Sequence, residues 1–216
     1  QQLRWDSPLG IALLDQFSGV YLVDSTQISL PATMATLFPG AGGNASTASL
    51  KIQLVFDYCH GRLEQLELGN GRQPDQGYRG HWACFQNQAL VLLDLGYFAL
   101  DTFKAISDQH GYFLSRFQTQ TGLFDPAGQP LDLVTLLAQQ TEMRTEVAVQ
   151  IGSRPQHRIP CRLLLCRLST EAAARQRQKA KANARRHGRT CSSAQLRLLD
   201  WACYITNVPA TMLQTE

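Results

Sequence analysis

No apolar run in the 216-residue chain approaches the ~18 residues a membrane-spanning helix needs, so a soluble protein with no membrane partner is expected. Nothing near Gln1 has the basic start and apolar stretch of a signal peptide. The first residue is not methionine, and Thr215-Glu216 directly follow a polar, helix-starting sequence, so both ends read as those of a fragment. No Cys-x-x-Cys pair is present. Cys59, Cys84, Cys161, Cys166, Cys191 and Cys203 fall at irregular intervals, which favours reduced thiols in a cytosol over a disulfide framework. His157, Cys161 and Cys166 lie close together, but the two cysteines flank an apolar strand pattern and read as packing and surface residues, not zinc ligands. Internal repeats are absent. With 44% hydrophobic residues the composition excludes a disordered chain, collagen and a coiled coil. What remains is one domain of ordinary size, or one domain carrying an insertion, long enough to bury its own core.

The net charge of +3 hides an asymmetry. Arg167, Arg175, Arg177, Lys179, Lys181, Arg185, Arg186, Arg189 and Arg197 face only Glu171 and Asp200 across residues 167–200. That segment carries +7 and leaves −4 for everything else. A concentrated basic stretch on a mildly acidic body points to a polyanion partner.

Val20-Tyr21-Leu22-Val23 is a β-branched and aromatic run ending at Asp24-Ser25-Thr26, which predicts a buried strand with a carboxylate at its C-terminal end. Residues 38–44 form a loop by their turn chemistry. Residues 50–56 alternate and then become continuous, as a central strand does; His60-Gly61 turns the chain and residues 63–68 return as a hairpin. A short helix over 81–88 precedes the apolar strand 89–93, which Asp94 follows directly. Leu100, Phe103 and Ile106 have helical spacing, Gly111 caps that helix, and 112–117 is the next strand. Such an order predicts an α/β fold, a mixed sheet with helices against it.

Residues 118–160 change character. Turns at Gly122, Pro126-Ala127-Gly128 and 152–155 separate short apolar segments at 131–137 and 147–151, which reads as a small strand-rich insertion. A strand over 159–168 follows. Residues 170–187 are rich in strong helix formers, with Ser169 or Thr170 as N-cap and Gly188 as stop. Residues 194–201 are expected to be helical and 202–206 to be a final strand.

Asp24 and Asp94 each follow an apolar strand. If those strands are neighbours, the two carboxylates converge at the C-terminal edge of the sheet, where open sheets place their sites. Converging carboxylates repel unless a cation lies between them or one is protonated. Hard oxygen ligands in a polar turn suit Mg²⁺ or Mn²⁺, and phosphoryl transfer by two metal ions needs such a platform. Asp57 also follows a strand, so position alone leaves three candidates.

Six phrases occur in order along the chain: Val23-Asp24-Ser25-Thr26-Gln27-Ile28-Ser29-Leu30-Pro31, Leu37-Phe38-Pro39-Gly40, Lys51-Ile52-Gln53-Leu54-Val55-Phe56-Asp57-Tyr58, Asp94-Leu95-Gly96-Tyr97-Phe98, Tyr112-Phe113-Leu114-Ser115-Arg116 and Ile205-Thr206-Asn207-Val208-Pro209. Together they resemble the catalytic domain of bacterial insertion-sequence transposases of the DDE class, in the group with a strand-rich insertion before its third acidic residue. The resemblance implies an RNase H-like fold: a mixed five-stranded sheet with flanking helices and a small β-rich insertion. It divides the chain into a first part of the core (1–117), the insertion (118–160) and a second part of the core (161–216) with the basic helix 170–187.

The same resemblance makes Asp24 and Asp94 the first two metal-binding, catalytic carboxylates and gives Asp57 a structural or surface position. The implied cofactor is Mg²⁺ or Mn²⁺, two ions in the complete enzyme. The implied activity is metal-dependent phosphodiester hydrolysis and strand transfer on double-stranded DNA, at transposon ends and target. Arg175, Arg177, Lys179, Lys181, Arg185, Arg186 and Arg189 would contact the DNA backbone. A cytoplasmic, nucleoid-associated protein follows, and a homodimer on DNA is one arrangement the resemblance allows. In this group the third acid lies in Tyr-x-x-Arg-x-x-x-Glu-x-x-x-x-x-x-Lys, on a helix shortly after Thr-Asn-Val-Pro. Neither Glu171 nor Glu216 carries that motif. The third carboxylate is therefore expected beyond Glu216, and the 216 residues alone are expected to be inactive. The alternative reading is a catalytically incomplete remnant that acts at most as a DNA-binding module.

Overall fold

A computed structural model describes residues 11–42 and 45–214. Gly43 and Asn44 of the predicted loop, and Glu216, lie outside the described residues. The chain divides into two compact units, Gln1–Ser115 and Arg116–Glu216.

In the first unit β1 (Val20–Leu30) pairs antiparallel with β2 (Ala48–Asp57), and β2 with β3 (Arg62–Asn70). On its other side β1 pairs in parallel with β4 (Leu90–Leu93), and β4 with β5 (Tyr112–Arg116). The order is β3-β2-β1-β4-β5. A parallel β4–β5 pair needs a crossover, and α1 (Leu100–Asp108) supplies it. This helix turns Phe103 and Ile106 inward, both fully buried, with the Phe103 ring 4.6 Å from that of Phe113 on β5. Burying a side chain of this size contributes roughly 1.5–3 kcal/mol. The helix ends with His110 in the left-handed region (φ 55°), and the Gly111 N–H donates to the Ile106 carbonyl. Gly111 is thus one residue past the left-handed position predicted for it; a Cβ there would stand 3.1 Å from the Gln86 carbonyl oxygen.

β2 inverts its expected facing. Alternation places Leu50, Ile52 and Leu54 inside and the polar residues between them in water. Instead Ser49, Lys51 and Gln53 are buried, and the three apolar residues are half-buried. The half-buried face continues across the sheet in register, through the rows Asp24–Leu54–Leu66 and Thr26–Ile52–Leu68. On it Ile28, Leu66 and Leu68 are 47%, 52% and 57% exposed. The polar residues are tolerated inside because each finds a partner: the Gln27 amide donates to Ser49 Oγ (2.7 Å), and Lys51 and Gln53 are bonded as described below.

In the second unit β6 (Leu123–Phe124), β7 (Arg144–Ile151), β8 (Ile159–Arg167) and β9 (Trp201–Thr206) are antiparallel, in the order β9-β8-β7-β6. Ile151, Leu163, Leu165 and Ile205 are fully buried there. The other elements are α2 (Leu133–Ala138), α3 (Thr170–Arg186) and α4 (Ser193–Leu198). α3 starts at Ser169, whose hydroxyl accepts from the Ala172 N–H, and Gly188 stops it with φ +63°.

The described residues therefore form nine strands, not the five expected. Beyond β1 to β5, the strands expected over 159–168 and 202–206 form β8 and β9, and two strands of the insertion, β6 and β7, join them in the same ladder. Residues 133–138 are helical because the Asp132 carboxylate caps them, accepting from the Thr135 N–H. The short helix expected over 81–88 is one 3₁₀ turn, Gly80–Cys84, and Trp201 belongs to β9 rather than to the helix before it. No helix among the described residues is long and apolar enough to cross a membrane. None of the six cysteines is paired. Burial pushes the Cys161 thiol up to about 12, which makes it unreactive.

Candidate active site

Asp24 does not end its strand, contrary to the sequence reading. It is the fifth residue of β1, which runs on to Leu30 because β2 keeps pairing with it. The shorter partner is β4: its parallel ladder with β1 stops at the row Val23↔Leu93. Asp24 and Asp94 are the next residue of each strand. Asp94 keeps an extended backbone (φ −76°, ψ 177°), so by the strand period both residues fall on the same face, on neighbouring strands whose ordinary spacing is about 4.8 Å. Both residues are exposed. The Ser25 N–H donates to Asp24 Oδ1 (2.8 Å) and the Gly96 N–H to Asp94 Oδ1 (2.9 Å).

Beneath this edge, on the buried face, lies a polar network that the sequence did not announce. Asp75 opens a 3₁₀ turn after Pro74, and its Oδ1 accepts from Lys51 Nζ (2.6 Å), Ser25 Oγ (2.8 Å) and Gln53 Nε2 (3.1 Å). Lys51 also donates to the Gln73 carbonyl (2.8 Å), and the Tyr97 hydroxyl donates to Gln53 Oε1. Burial pushes the Asp75 carboxyl upward, but the hydrogen bonds from Lys51, Ser25 and Gln53 outweigh it and hold the group below the usual carboxylate range. Burial raises Tyr97, and the charges of Asp75, Asp24 and Asp94 raise it further, against a hydrogen bond with Ser25. The available signal was Pro74-Asp75-Gln76-Gly77, a turn with a carboxylate, together with two polar residues inside an apolar strand.

Asp57 belongs elsewhere. It is buried opposite Tyr21, three rows from Asp24, where its carboxylate meets the His60 ring (2.6 Å) and the His60 N–H (3.2 Å). These bonds close the β2–β3 turn.

His81 is 1% exposed among the rings of Tyr78, Phe85 and Tyr97, and neither of its ring nitrogens has a partner among the described residues. Burial first, and Arg79 second, lower its pKa from 6.5 to about 4, with Asp101 opposing. Between those values the unfolded chain takes up a proton that the folded chain refuses, so stability falls as pH drops from 6.5 toward 4. The full loss is about 3 kcal/mol at 1.36 kcal/mol per pH unit. Urea unfolding at pH 7 and about pH 4.5 checks this: His81→Phe should remove most of the difference, and an unchanged difference would assign it to other groups.

The seven basic candidates lie in and just after α3. At 100° per residue Arg175, Lys179 and Arg186 fall within about 40° of one another, opposite the buried Ala173. All three are exposed, as are Lys181, Arg185 and Arg189. Arg177 is half-buried and paired with Asp200 at 2.9 Å.

Residues 15–207 match the family described as the transposase DDE domain. The chain belongs to that family. It is 24% identical to the transposase for insertion sequence element IS231F of Bacillus thuringiensis subsp. israelensis, over 91% of this chain and 45% of the relative. It is 23% identical to the IS231B transposase of B. thuringiensis subsp. berliner (97% and 48%) and to the IS1151 transposase of Clostridium perfringens (91% and 45%). The chain thus spans about half the length of the curated relatives it matches. In this DDE domain the paired Asp24 and Asp94 offer hard oxygen donors on one face, the donor type that Mg²⁺ and Mn²⁺ take. Among the described residues no group of three or more His, Cys, Asp or Glu side chains is arranged to hold a metal ion. Asp75 Oδ1 is already occupied by Ser25, Gln53 and Lys51.

Proposed function

We propose that this chain is the catalytic part of an insertion-sequence transposase, acting on double-stranded DNA at transposon ends and target. The carrying observation is that Asp24 and Asp94 follow directly on the paired row Val23↔Leu93, in a chain of the DDE family. The strand order β3-β2-β1-β4-β5 supports an RNase H-like reading, with 1–117 and 161–216 as core and 118–160 as the insertion. Asp24 and Asp94 would hold the divalent ions, and the N–H groups of Ser25 and Gly96 each engage one carboxylate oxygen, Oδ1, which restrains the rotamer. Bound ions supply activation of the attacking oxygen and stabilisation of the leaving oxygen. The third carboxylate of this class is proposed to come from a Tyr-x-x-Arg-x-x-x-Glu segment outside the 216 residues. Such a protein works in the cytoplasm on the nucleoid, and pairing two transposon ends calls for a dimer on DNA.

The test is Mg²⁺- or Mn²⁺-dependent nicking of supercoiled plasmid by a chain that also carries the third carboxylate. Nicking that survives both Asp24→Asn and Asp94→Asn overturns the assignment. A DNA-binding module without a complete metal centre is the second reading, favoured by the lack of a third carboxylate at the pair among the described residues. It predicts DNA retention without nicking.

Both readings give α3 the DNA backbone, through Arg175, Lys179, Lys181, Arg185, Arg186 and Arg189, with Arg177 held back by Asp200. Replacing Arg175, Lys179 and Arg186 by alanine should flatten the slope of log affinity against log salt by roughly 0.9 for each phosphate no longer neutralised. Filter binding from about 50 to 200 mM salt measures it, and an unchanged slope removes this face from the interface.

A further inference from the structure

The geometry points to Asp75 as a positioning residue for the Asp24–Asp94 pair, a role that rests on the proposed metal-binding reading. Asp75 is joined to both arms of the pair. Through Oδ1 it accepts from the hydroxyl of Ser25, whose own N–H donates to Asp24 Oδ1. Through Gln53 it reaches Tyr97, whose hydroxyl donates to the same amide and which closes the short turn Leu95–Tyr97 after Asp94. Its second oxygen stands against that turn: a Cβ built on Gly96 would be 3.3 Å from Asp75 Oδ2 and 3.1 Å from Asp94 Oδ1. Gly96 leaves room there for the two carboxylates to approach the turn from either side.

Three features separate this role from that of a third ligand. Ser25, Lys51 and Gln53 share the row parity of Val23 and Val55, which places them on the buried face, whereas Asp24 shares its face with Leu54. The Lys51 ammonium, 2.6 Å away, offsets the charge of Asp75. Three donors already share Oδ1. Asp75 thus acts through others. It fixes the backbone on either side of the site, so that the N–H groups of Ser25 and Gly96 keep each carboxylate in one rotamer. Two like charges a strand apart drift to separate rotamers unless something restrains them, and a cation is held tightly only by ligands already in place.

Amide hydrogen exchange followed by NMR on the 216-residue chain, without metal, reads the positioning. Asp75→Asn should speed exchange at both Ser25 and Gly96 by about tenfold beyond any general rise at the amides of α1, the scale of one net hydrogen bond. Ser25→Ala and Tyr97→Phe leave the Lys51–Asp75 pair intact and cover the case in which Asp75→Asn does not fold. The first should loosen Gly96 little and its own arm most, and the second the reverse. Mn²⁺ titration with free ion counted by electron paramagnetic resonance reads the consequence: Asp75→Asn should weaken binding several-fold, and Tyr97→Phe in the same direction.

Unchanged exchange at Ser25 and Gly96 overturns the inference. So does Mn²⁺ affinity that falls in Asp24→Asn and Asp94→Asn but stays intact in Asp75→Asn, since Asp75 would then be only a fold-stabilising residue. If the parent chain shows no Mn²⁺ binding that depends on Asp24 and Asp94, the metal reading fails instead. The exchange rates then decide the positioning role on their own.

Discussion

In a chain that also carries the third carboxylate, Asp24→Asn and Asp94→Asn are each expected to reduce metal-dependent nicking by ~10³-fold or more, and Mn²⁺ affinity by at least about tenfold. Asparagine keeps the size of the side chain and its bond to the neighbouring N–H, so the fold should be untouched. What it removes is one negative charge and one strong oxygen ligand. A metal clamp supplies several kcal/mol of charge stabilisation to a phosphoryl transfer, and each ~1.36 kcal/mol is a factor of ten in rate. Both residues are exposed and neither supports the core, so thermal midpoints should stay within a degree or two. Plasmid nicking and Mn²⁺ titration at matched circular dichroism check it. An Asp94→Asn variant as active as the parent would remove Asp94 from the site, whatever Asp24 does.

The second large effect concerns stability. Lys51→Met should destabilise the chain by ~3–5 kcal/mol, because it removes one partner of an ion pair whose side chains are 9% and 27% exposed. Asp75 would keep Ser25 and Gln53 as donors but lose its cation. Asp75→Ala should cost about as much by the opposite route, leaving a buried ammonium with only the Gln73 carbonyl. Replacing both, as Lys51→Met with Asp75→Leu, should recover most of the loss, since neither charge is then stranded. Urea midpoints at constant m-value measure this. A double variant as unstable as the sum of the singles would show that the two residues do not act as a pair.

Local sequence chemistry set much of the first unit. The runs at Val20 to Val23 and Leu90 to Leu93 are strands because β-branched and branched apolar side chains leave few other uses for so short a segment. Leu100, Phe103 and Ile106 made α1 legible, and the alanine-, glutamine- and arginine-rich stretch behind Ser169 did the same for α3. The failures have equally local causes. The polar run Asp24-Ser25-Thr26-Gln27 resembles a turn, but pairing with β2 overrides that chemistry and carries β1 on to Leu30. The segment 131–137 has strand-like apolar density, yet a cap at Asp132 makes it helical. β2 shows the sharpest reversal: its hydrophobic alternation assigns Lys51 and Gln53 to water, while the partners that keep them inside, Asp75 and Tyr97, are 24 and 44 residues further along.

The sequence by itself determined which residues could carry the chemistry: Asp24 and Asp94 as carboxylates attached to apolar strands, and a basic segment from Arg175 to Arg189 dense enough to require solvent. It also carried the family, because phrases such as Asp94-Leu95-Gly96-Tyr97-Phe98 keep their order along the chain. Only the tertiary structure decided which carboxylates follow neighbouring strand rows. The four-residue length of β4 ends its ladder at Leu93 and sets Asp94 beside Asp24, while Asp57, equally eligible by position, is carried to the far end of an antiparallel pair. The same folding decided which bases remain available, by pairing Arg177 with Asp200. The physical reason is one of range. Propensity, capping and alternation act over a few residues, whereas strand register and charge pairing are settled by partners about 24 to 70 residues away, and no local pattern encodes those.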